Sequence, residues 1–410
     1  VKSVIPILVF YLLLKLPGIL HATPGRNIEI PLYAQSVILI DAHSGRVLYE
    51  KSADKLHVPA SLTKIISLTL AYEALANGDI TYASPIIVSD RASMHNVPYR
   101  SSRMYLEPGQ NVKMYDLMLG MAIASGNDAA VALAEVVSGS VEDFVLRMNQ
   151  LAKMLGAKNS HFVDPAGILD GNITTAREYA LFAKYYIEQY PHALQEIHSV
   201  PSFSYPNLQQ MNHRGTMRYT VTHKNPIGLI GSYDGADGLK TGYVDESGYN
   251  LVATVQQGSM RLIAVILGVF APGAQSGSRQ REQDAKNLFD YALSHYRYYE
   301  WSQHPMYQES TSIRVWGGKQ RYTTVTIDSL SPYVEYPFTE EEWRLSQMRW
   351  STERQQAPLS ARNLVGSLLI ESDELRWEVP LIIEDGVERL PFWLYLNDMF
   401  KFYLQRLLGR

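Results

Sequence analysis

The sequence predicts a mixed α/β fold: an antiparallel sheet flanked by helices, then a small β-rich domain and a C-terminal amphipathic helix. Three observations carry this expectation. Strand-like runs stand at both ends of the stretch from Gln35 to Val269, with helical runs between them, an order that closes one sheet with helices on its faces. Beyond Trp301 the texture changes to short β-rich runs separated by turns. Hydrophobic residues make up 46% of the 410 and charged ones 19%, which supplies a core and excludes a largely disordered chain or a polytopic membrane protein.

The elements follow in order. Lys2, an apolar run over residues 5–14 and 16–20, and a small residue at Ala22 describe a secretory signal peptide over residues 1–22. Lys15 interrupts the run, which is short for a transmembrane helix. An exported protein is therefore expected. Residues 36–41 and 46–49 flank His43-Ser44-Gly45 as a β-hairpin. Residues 61–77 place Leu62, Ile65, Ile66, Leu70 and Leu75 at helical spacing and stop at Asn77-Gly78. Residues 114–137 read as two helices broken by Ser125-Gly126-Asn127. Further helices are expected over 141–155 and 175–188, strands over 239–244, 249–256 and 261–269, and a closing helix over 285–296. The first domain accordingly covers residues 30–300. Short strands at 312–316, 322–328, 365–371 and 377–383 make a β-rich domain over 301–389. Residues 390–410 return to helical spacing.

Composition narrows the chemistry. The chain has no cysteine, which removes disulfides, thiolate catalysis and cysteine-held zinc together. Its 37 basic and 41 acidic residues leave a net charge of -4, so attraction to nucleic acid is not expected. The 11 histidines are scattered, with no HExxH pair. No metal site or cofactor motif is expected.

Three short motifs carry chemistry. Ser61-Leu62-Thr63-Lys64 is an SxxK motif opening a helix, and three residues apart the serine and lysine share a face. A desolvated, neutral lysine can take the proton that keeps a serine hydroxyl from being nucleophilic. Unpaired N–H groups at the helix start suit a developing oxyanion, each such donor typically worth about 2.7–4 kcal/mol of barrier. Ser52-Ala53-Asp54-Lys55 matches the same pattern but sits in a polar connection. Ser125-Gly126-Asn127 places a hydroxyl and an amide on a tight loop, able to relay a proton and hold a substrate amide. Lys240-Thr241-Gly242 on a strand offers a charge and a hydroxyl to a carboxylate, with a glycine that lets the strand lie against substrate.

In the order SxxK, SxN, KTG, these motifs match the penicillin-binding signature. The chain resembles the serine-type D-alanyl-D-alanine carboxypeptidases, the low-molecular-mass penicillin-binding proteins. The likeness extends through Pro59-Ala60-Ser61, Ser125 to Ala134, Asp237 to Tyr243, Gly248 to Ala253 and Arg261 to Val265. It reaches the tail at Ala357-Pro358-Leu359 and Val365-Gly366. The resemblance implies a DD-peptidase/β-lactamase-like fold. It also implies that Ser61 attacks the carbonyl between the two terminal D-alanines of a peptidoglycan stem peptide, with Lys64 as base and Ser125 passing a proton to the leaving amine. Asn127 would hold the acyl-chain amide, and Lys240 with Thr241 the terminal carboxylate. The N–H groups of Ser61 and Tyr243 would form the oxyanion hole, Gly242 would adjoin the substrate, and Arg281 falls where relatives often carry an arginine near the carboxylate pocket. β-Lactams would be covalent inhibitors. If Lys64 is the base, burial and positive neighbours such as Lys240 should depress its pKa.

Two departures stand out. Val244 replaces a hydroxyl residue, and His223-Lys224-Asn225 stands where relatives commonly place an arginine between asparagines. Two alternatives use the same fold: a β-lactamase and a non-catalytic peptidoglycan-binding protein. The nearest approach to a water-activating ExxLN loop, Glu73-Ala74-Leu75-Ala76-Asn77, falls inside the first helix, and no GxSxG elbow occurs. In the last stretch, residues 390–410, Asn397, Lys401 and Gln405 recur every four residues among Phe392, Trp393, Phe400 and Tyr403. An amphipathic helix lying in a membrane surface fits this pattern better than one spanning it.

Overall fold

The computed structural model of the chain describes residues 29–99, 101–206, 220–307, 310–331, 334–372 and 375–407. The expected signal peptide, residues 1–22, and the last three residues lie outside these. The chain divides into two compact units, residues 28–292 and 293–410 by number.

The first unit is built on a five-stranded antiparallel sheet. The strands β1 (Ser36–Asp41) and β2 (Val47–Lys51) form the early hairpin. Helices α1 (Lys64–Asn77), α2 (Met114–Ala122), α3 (Asn127–Ser138), α4 (Val141–Met154) and α5 (Ala176–Gln189) follow. A hairpin of β3 (Ser202–Tyr205) and β4 (Val221–Lys224) precedes β5 (Ala236–Val244), β6 (Gly248–Gln257) and β7 (Met260–Val269). The sheet order is β2-β1-β7-β6-β5, so the late strands close onto the early hairpin and β5 is left at an edge. Ile38, Val252, Ile263 and Val265 face one core with α5, including Tyr179, Phe182 and Ala183. On the opposite face, α6 (Ala274–His295) brings Gly277 against the Tyr249 ring and Tyr291 against Tyr49. Both faces being covered, β6 and β7 read as near-continuous apolar runs rather than alternating ones.

Local chemistry sets the helix ends. Gly78 and Gly139, both with left-handed backbone, stop α1 and α3. Ser140 and Thr175 accept N–H bonds at the starts of α4 and α5 from Asp143 and Glu178. Two expectations needed revision. The stretch beginning at Ser61 opens as a 3₁₀ turn (Ala60–Thr63) and becomes α-helical only at Lys64, because Ala60 takes a positive φ of 51°. Helix α6 begins at Ala274, not 285: its early inward positions are Gly277, Arg281 and Asp284, which carry no apolar periodicity.

The second unit is β-rich, as expected. Strands β8 (Thr311–Trp316), β9 (Tyr322–Ile327), β10 (Gln347–Thr352), β11 (Gln355–Gln356), β12 (Leu364–Glu371) and β13 (Arg376–Ile383) form one sheet in the order β10-β12-β13-β9-β8-β11. Trp301, Phe338, Trp343 and Trp377 join Val325, Leu368 and Val379 in its core. A short helix α7 (Glu340–Leu345) carries a capping box between Thr339 and Glu342. The final helix α8 (Phe392–Leu407) lays Met399 and Phe402 on Trp316, while Asp398 accepts from the Gly317 N–H at 2.7 Å and pairs with Arg314 at 3.2 Å. Its other faces leave Trp393, Phe400 and Leu407 exposed by 79%, 68% and 84%.

Candidate active site

The site gathers at the start of α1. The Pro59–Leu62 turn, closed by the Leu62 N–H on Pro59 O at 3.2 Å, presents Ser61 half-buried at the surface of the core. One helical turn on, Lys64 is fully buried. Its Nζ lies 3.0 Å from Ser61 Oγ, 2.7 Å from Asn127 Oδ1 and 2.8 Å from Ala166 O. Two of those partners can only accept. A neutral amine has two N–H groups for them, and its lone pair is then left for the Ser61 hydroxyl. Burial pushes the Lys64 ammonium down to about 7, against the pull of the Asp164 and Asp128 charges. Desolvation is thus the main cause of the expected depression. Lys240 is not among the causes of the Lys64 depression; the repulsion falls on Lys240, which burial, Lys64 and Arg281 together push well below its ordinary value.

The second motif occupies the α2–α3 loop. Asn127 is buried at the first turn of α3, its Oδ1 held by Lys64. Neither its Nδ2 nor the Ser125 hydroxyl makes a hydrogen bond to any described residue. Ser125 holds a positive φ of 53°; strain of this kind typically costs about 1–3 kcal/mol and gathers at functional sites. Asp128 fixes the loop. Its carboxylate accepts from the N–H groups of Met104 (2.8 Å), Leu106 (2.9 Å) and Ala129 (2.9 Å), and the Asn127 N–H donates to Ser102 O.

The third motif lies on β5. Lys240 is fully buried and donates to Thr241 O at 3.1 Å. A Cβ on Gly242 would meet Pro59 O at 2.9 Å and the Ala60 Cβ at 3.3 Å. The glycine therefore lets β5 press against the turn that carries Ser61. The Tyr243 ring is half-exposed, packs tilted against Tyr249 with ring centres 4.4 Å apart, and donates its hydroxyl to Asp245 at 2.6 Å. Arg281, from α6, is buried; its Nη1 donates to Asn250 O at 3.3 Å, and its buried Nε has no partner among the described residues. Burial lowers Arg281 to about 10. Lys240 thus sits near enough to both Lys64 and Arg281 to be destabilised as a cation by them.

Of the departing residues, His223 stacks on Tyr105 and Lys224 is exposed. Glu73 pairs with Arg147 at 3.3 Å on the outer side of α1. Among the described residues no cluster of histidines and carboxylates could hold a metal.

Sequence reasoning missed the loop after α4. Asp164 accepts from the N–H groups of Ala166, Gly167, Ile168 and Leu169, and Asn172 ties Val163 to Thr63. This loop delivers the Ala166 carbonyl to Lys64. Gly167 has φ of 76°, and a Cβ there would lie 1.9 Å from Ala60 O. A main-chain carbonyl has no sequence signature, although Asp164-Pro165-Ala166-Gly167 is turn chemistry that marks the loop.

The D-alanyl-D-alanine carboxypeptidase family model matches residues 24–271. Among curated relatives, D-alanyl-D-alanine carboxypeptidase DacF of Bacillus subtilis is 31% identical over 380 residues, covering 91% of this chain and 90% of that protein. D-alanyl-D-alanine carboxypeptidase DacC of Escherichia coli is 33% identical over 387 residues, covering 92% and 91%. Among solved structures, penicillin binding protein 5 from Haemophilus influenzae superposes with a TM-score of 0.74 at 27% identity, over 89% of this chain and all of that one. Penicillin-binding protein D2 from Listeria monocytogenes, solved in an ampicillin-bound form, matches with a TM-score of 0.54 at 26% identity, over 65% of this chain and all of that one.

Proposed function

The chain belongs to the D-alanyl-D-alanine carboxypeptidase family, and on that premise we propose how its residues carry out the reaction. It is a serine-type D-Ala-D-Ala carboxypeptidase and a penicillin-binding protein, acting on peptidoglycan stem peptides. Ser61 Oγ attacks the carbonyl between the two terminal D-alanines, and Lys64 takes its proton. The N–H groups of Ser61 and Tyr243 receive the oxyanion. Collapse expels the terminal D-alanine, whose amine takes a proton through Ser125, and water then releases the acyl group from Ser61. Asn127 Nδ2 donates to the acyl-chain carbonyl. Lys240, Thr241 and Arg281 hold the terminal carboxylate.

The observation that carries this reading is the Lys64 amine, 3.0 Å from Ser61 Oγ and otherwise bonded only to acceptors. A β-lactam carries a reactive carbonyl and a carboxylate, and would acylate the same oxygen. The test is D-alanine release from diacetyl-L-Lys-D-Ala-D-Ala. The wild type turns it over and Ser61→Ala does not; equal release by both would overturn the assignment.

We propose in addition that the enzyme works outside the cytoplasm, at a membrane surface. The apolar segment over residues 5–20 supports export. The exposed Trp393, Phe400 and Leu407 of α8 support a helix lying in the headgroup boundary. No helix among the described residues is long and apolar enough to cross a membrane.

A further inference from the structure

Among the described residues strand β5 is an edge strand, paired only with β6, yet one point of its free edge is covered. The cover is the π-helical turn Leu194–His198. His198 is 1% exposed; its Nδ1 lies 2.8 Å from Leu239 O and its Nε2 2.9 Å from the Tyr186 hydroxyl. A carbonyl only accepts, so Nδ1 carries the proton and Nε2 accepts from the Tyr186 O–H. Burial agrees with a neutral ring, lowering the imidazole to about 3. Gly238 makes room for it, since a Cβ there would lie 3.1 Å from the His198 Cβ. Asn225 donates to His198 O at 2.7 Å and anchors the turn from the end of β4.

The covered carbonyl fixes which way the strand faces. Along an antiparallel strand the main-chain groups of successive residues turn alternately to the two sides. Leu239 O meets a side chain that is not on β6, so Leu239, Thr241 and Tyr243 all turn to the free edge. The register with β6 runs without a shift from Gly238 to Val244, and Lys240 reaching Thr241 O agrees with it.

The catalytic reading above puts the scissile carbonyl at the Tyr243 N–H and the terminal carboxylate at Lys240 and Thr241. The leaving residue then runs along the edge from Tyr243 towards Thr241, and one more residue would arrive at Leu239. That place is taken. We propose that His198 is a specificity-determining residue that blocks the edge of β5 just past the carboxylate pocket. The site thereby accepts chains that end at the leaving D-residue and rejects chains that continue, including the internal bonds of cross-linked peptides. This inference rests on the proposed catalytic reading.

Three peptides test it: diacetyl-L-Lys-D-Ala-D-Ala, its C-terminal amide, and its glycine-extended form. The amide removes the carboxylate charge without adding a residue, so it isolates the steric part. In the wild type, kcat/KM for the glycine-extended peptide is expected to be at least tenfold below that for the amide. His198→Ala should narrow that gap by tenfold or more. His198→Asn, whose Nδ2 can take the place of Nδ1 on Leu239 O, should keep most of it. Equal wild-type turnover of the amide and the extended peptide would overturn the proposal, as would an equal loss on all three peptides in His198→Ala. If His198→Ala does not fold, the wild-type comparison and His198→Asn still decide. Failure of the catalytic reading looks different: no D-alanine from the first peptide and no penicillin adduct on the wild type.

Discussion

Lys64 offers the sharpest quantitative expectation. Burial moves its ammonium from 10.5 to about 7. At pH 7 about half of the molecules then hold the neutral amine, against about one in three thousand for a lysine of ordinary pKa. The base must be neutral, and the neutral fraction rises with pH. Acylation should therefore climb nearly tenfold per pH unit below 7 and level off above it. Lys64→Arg keeps a cation and donors for Asn127 Oδ1 and Ala166 O, but cannot release a proton in this range. Loss of a positioned general base costs roughly 10²–10⁴-fold. The assay is the pseudo-first-order rate of acylation by a fluorescent penicillin between pH 5 and 9, for both proteins. A flat profile for the wild type, or a Lys64→Arg rate within tenfold of it, would refute the assignment of the base.

Three further outcomes are expected. Gly242→Ala brings a Cβ to 2.9 Å from Pro59 O, so it should push β5 from the Ser61 turn and cut kcat/KM at least tenfold, with stability falling by about 1–3 kcal/mol in urea unfolding. Asp128→Ala strands the buried N–H groups of Met104, Leu106 and Ala129. With each such group costing about 1–3 kcal/mol, a loss of several kcal/mol in the same measurement is expected. Replacing Trp393 and Phe400 together by Ser removes exposed apolar surface without touching the Met399–Phe402 contact with Trp316. Binding to phosphatidylglycerol vesicles should drop at least tenfold while D-alanine release is unchanged; unchanged vesicle binding would show that α8 is only structural.

The sequence exposes what side chains announce and hides what the backbone does. The hairpin of β1 and β2, the helices α1 to α5 and the three late strands are legible because turn residues punctuate clear apolar periods. The first eleven residues of α6 are not, since Gly277, Arg281 and Asp284 face inward in place of apolar groups. The hairpin of β3 and β4 and the strand β10 are not legible either. The pair Ser61 and Lys64 is readable from helical spacing, and the structure brings the amine within hydrogen-bond distance of the hydroxyl. Asn127, 63 residues away from Lys64, enters the same hydrogen-bond set only through the fold. The Ala166 carbonyl and the left-handed backbone at Ala60 and Ser125 leave no mark of residue type, though they shape the site as much as the named side chains do. Gly242 was legible as a requirement for close approach; that it answers to Pro59 and Ala60 needed the packed structure.

The central claim is that Ser61 is the oxygen that becomes acylated. Intact-protein and peptide mass spectrometry after brief exposure to benzylpenicillin tests it directly. The account predicts one penicilloyl group per chain, located on the peptide containing Ser61 and absent from Ser61→Ala. An adduct on Ser125 or Ser52, or an adduct that survives in Ser61→Ala, would contradict it.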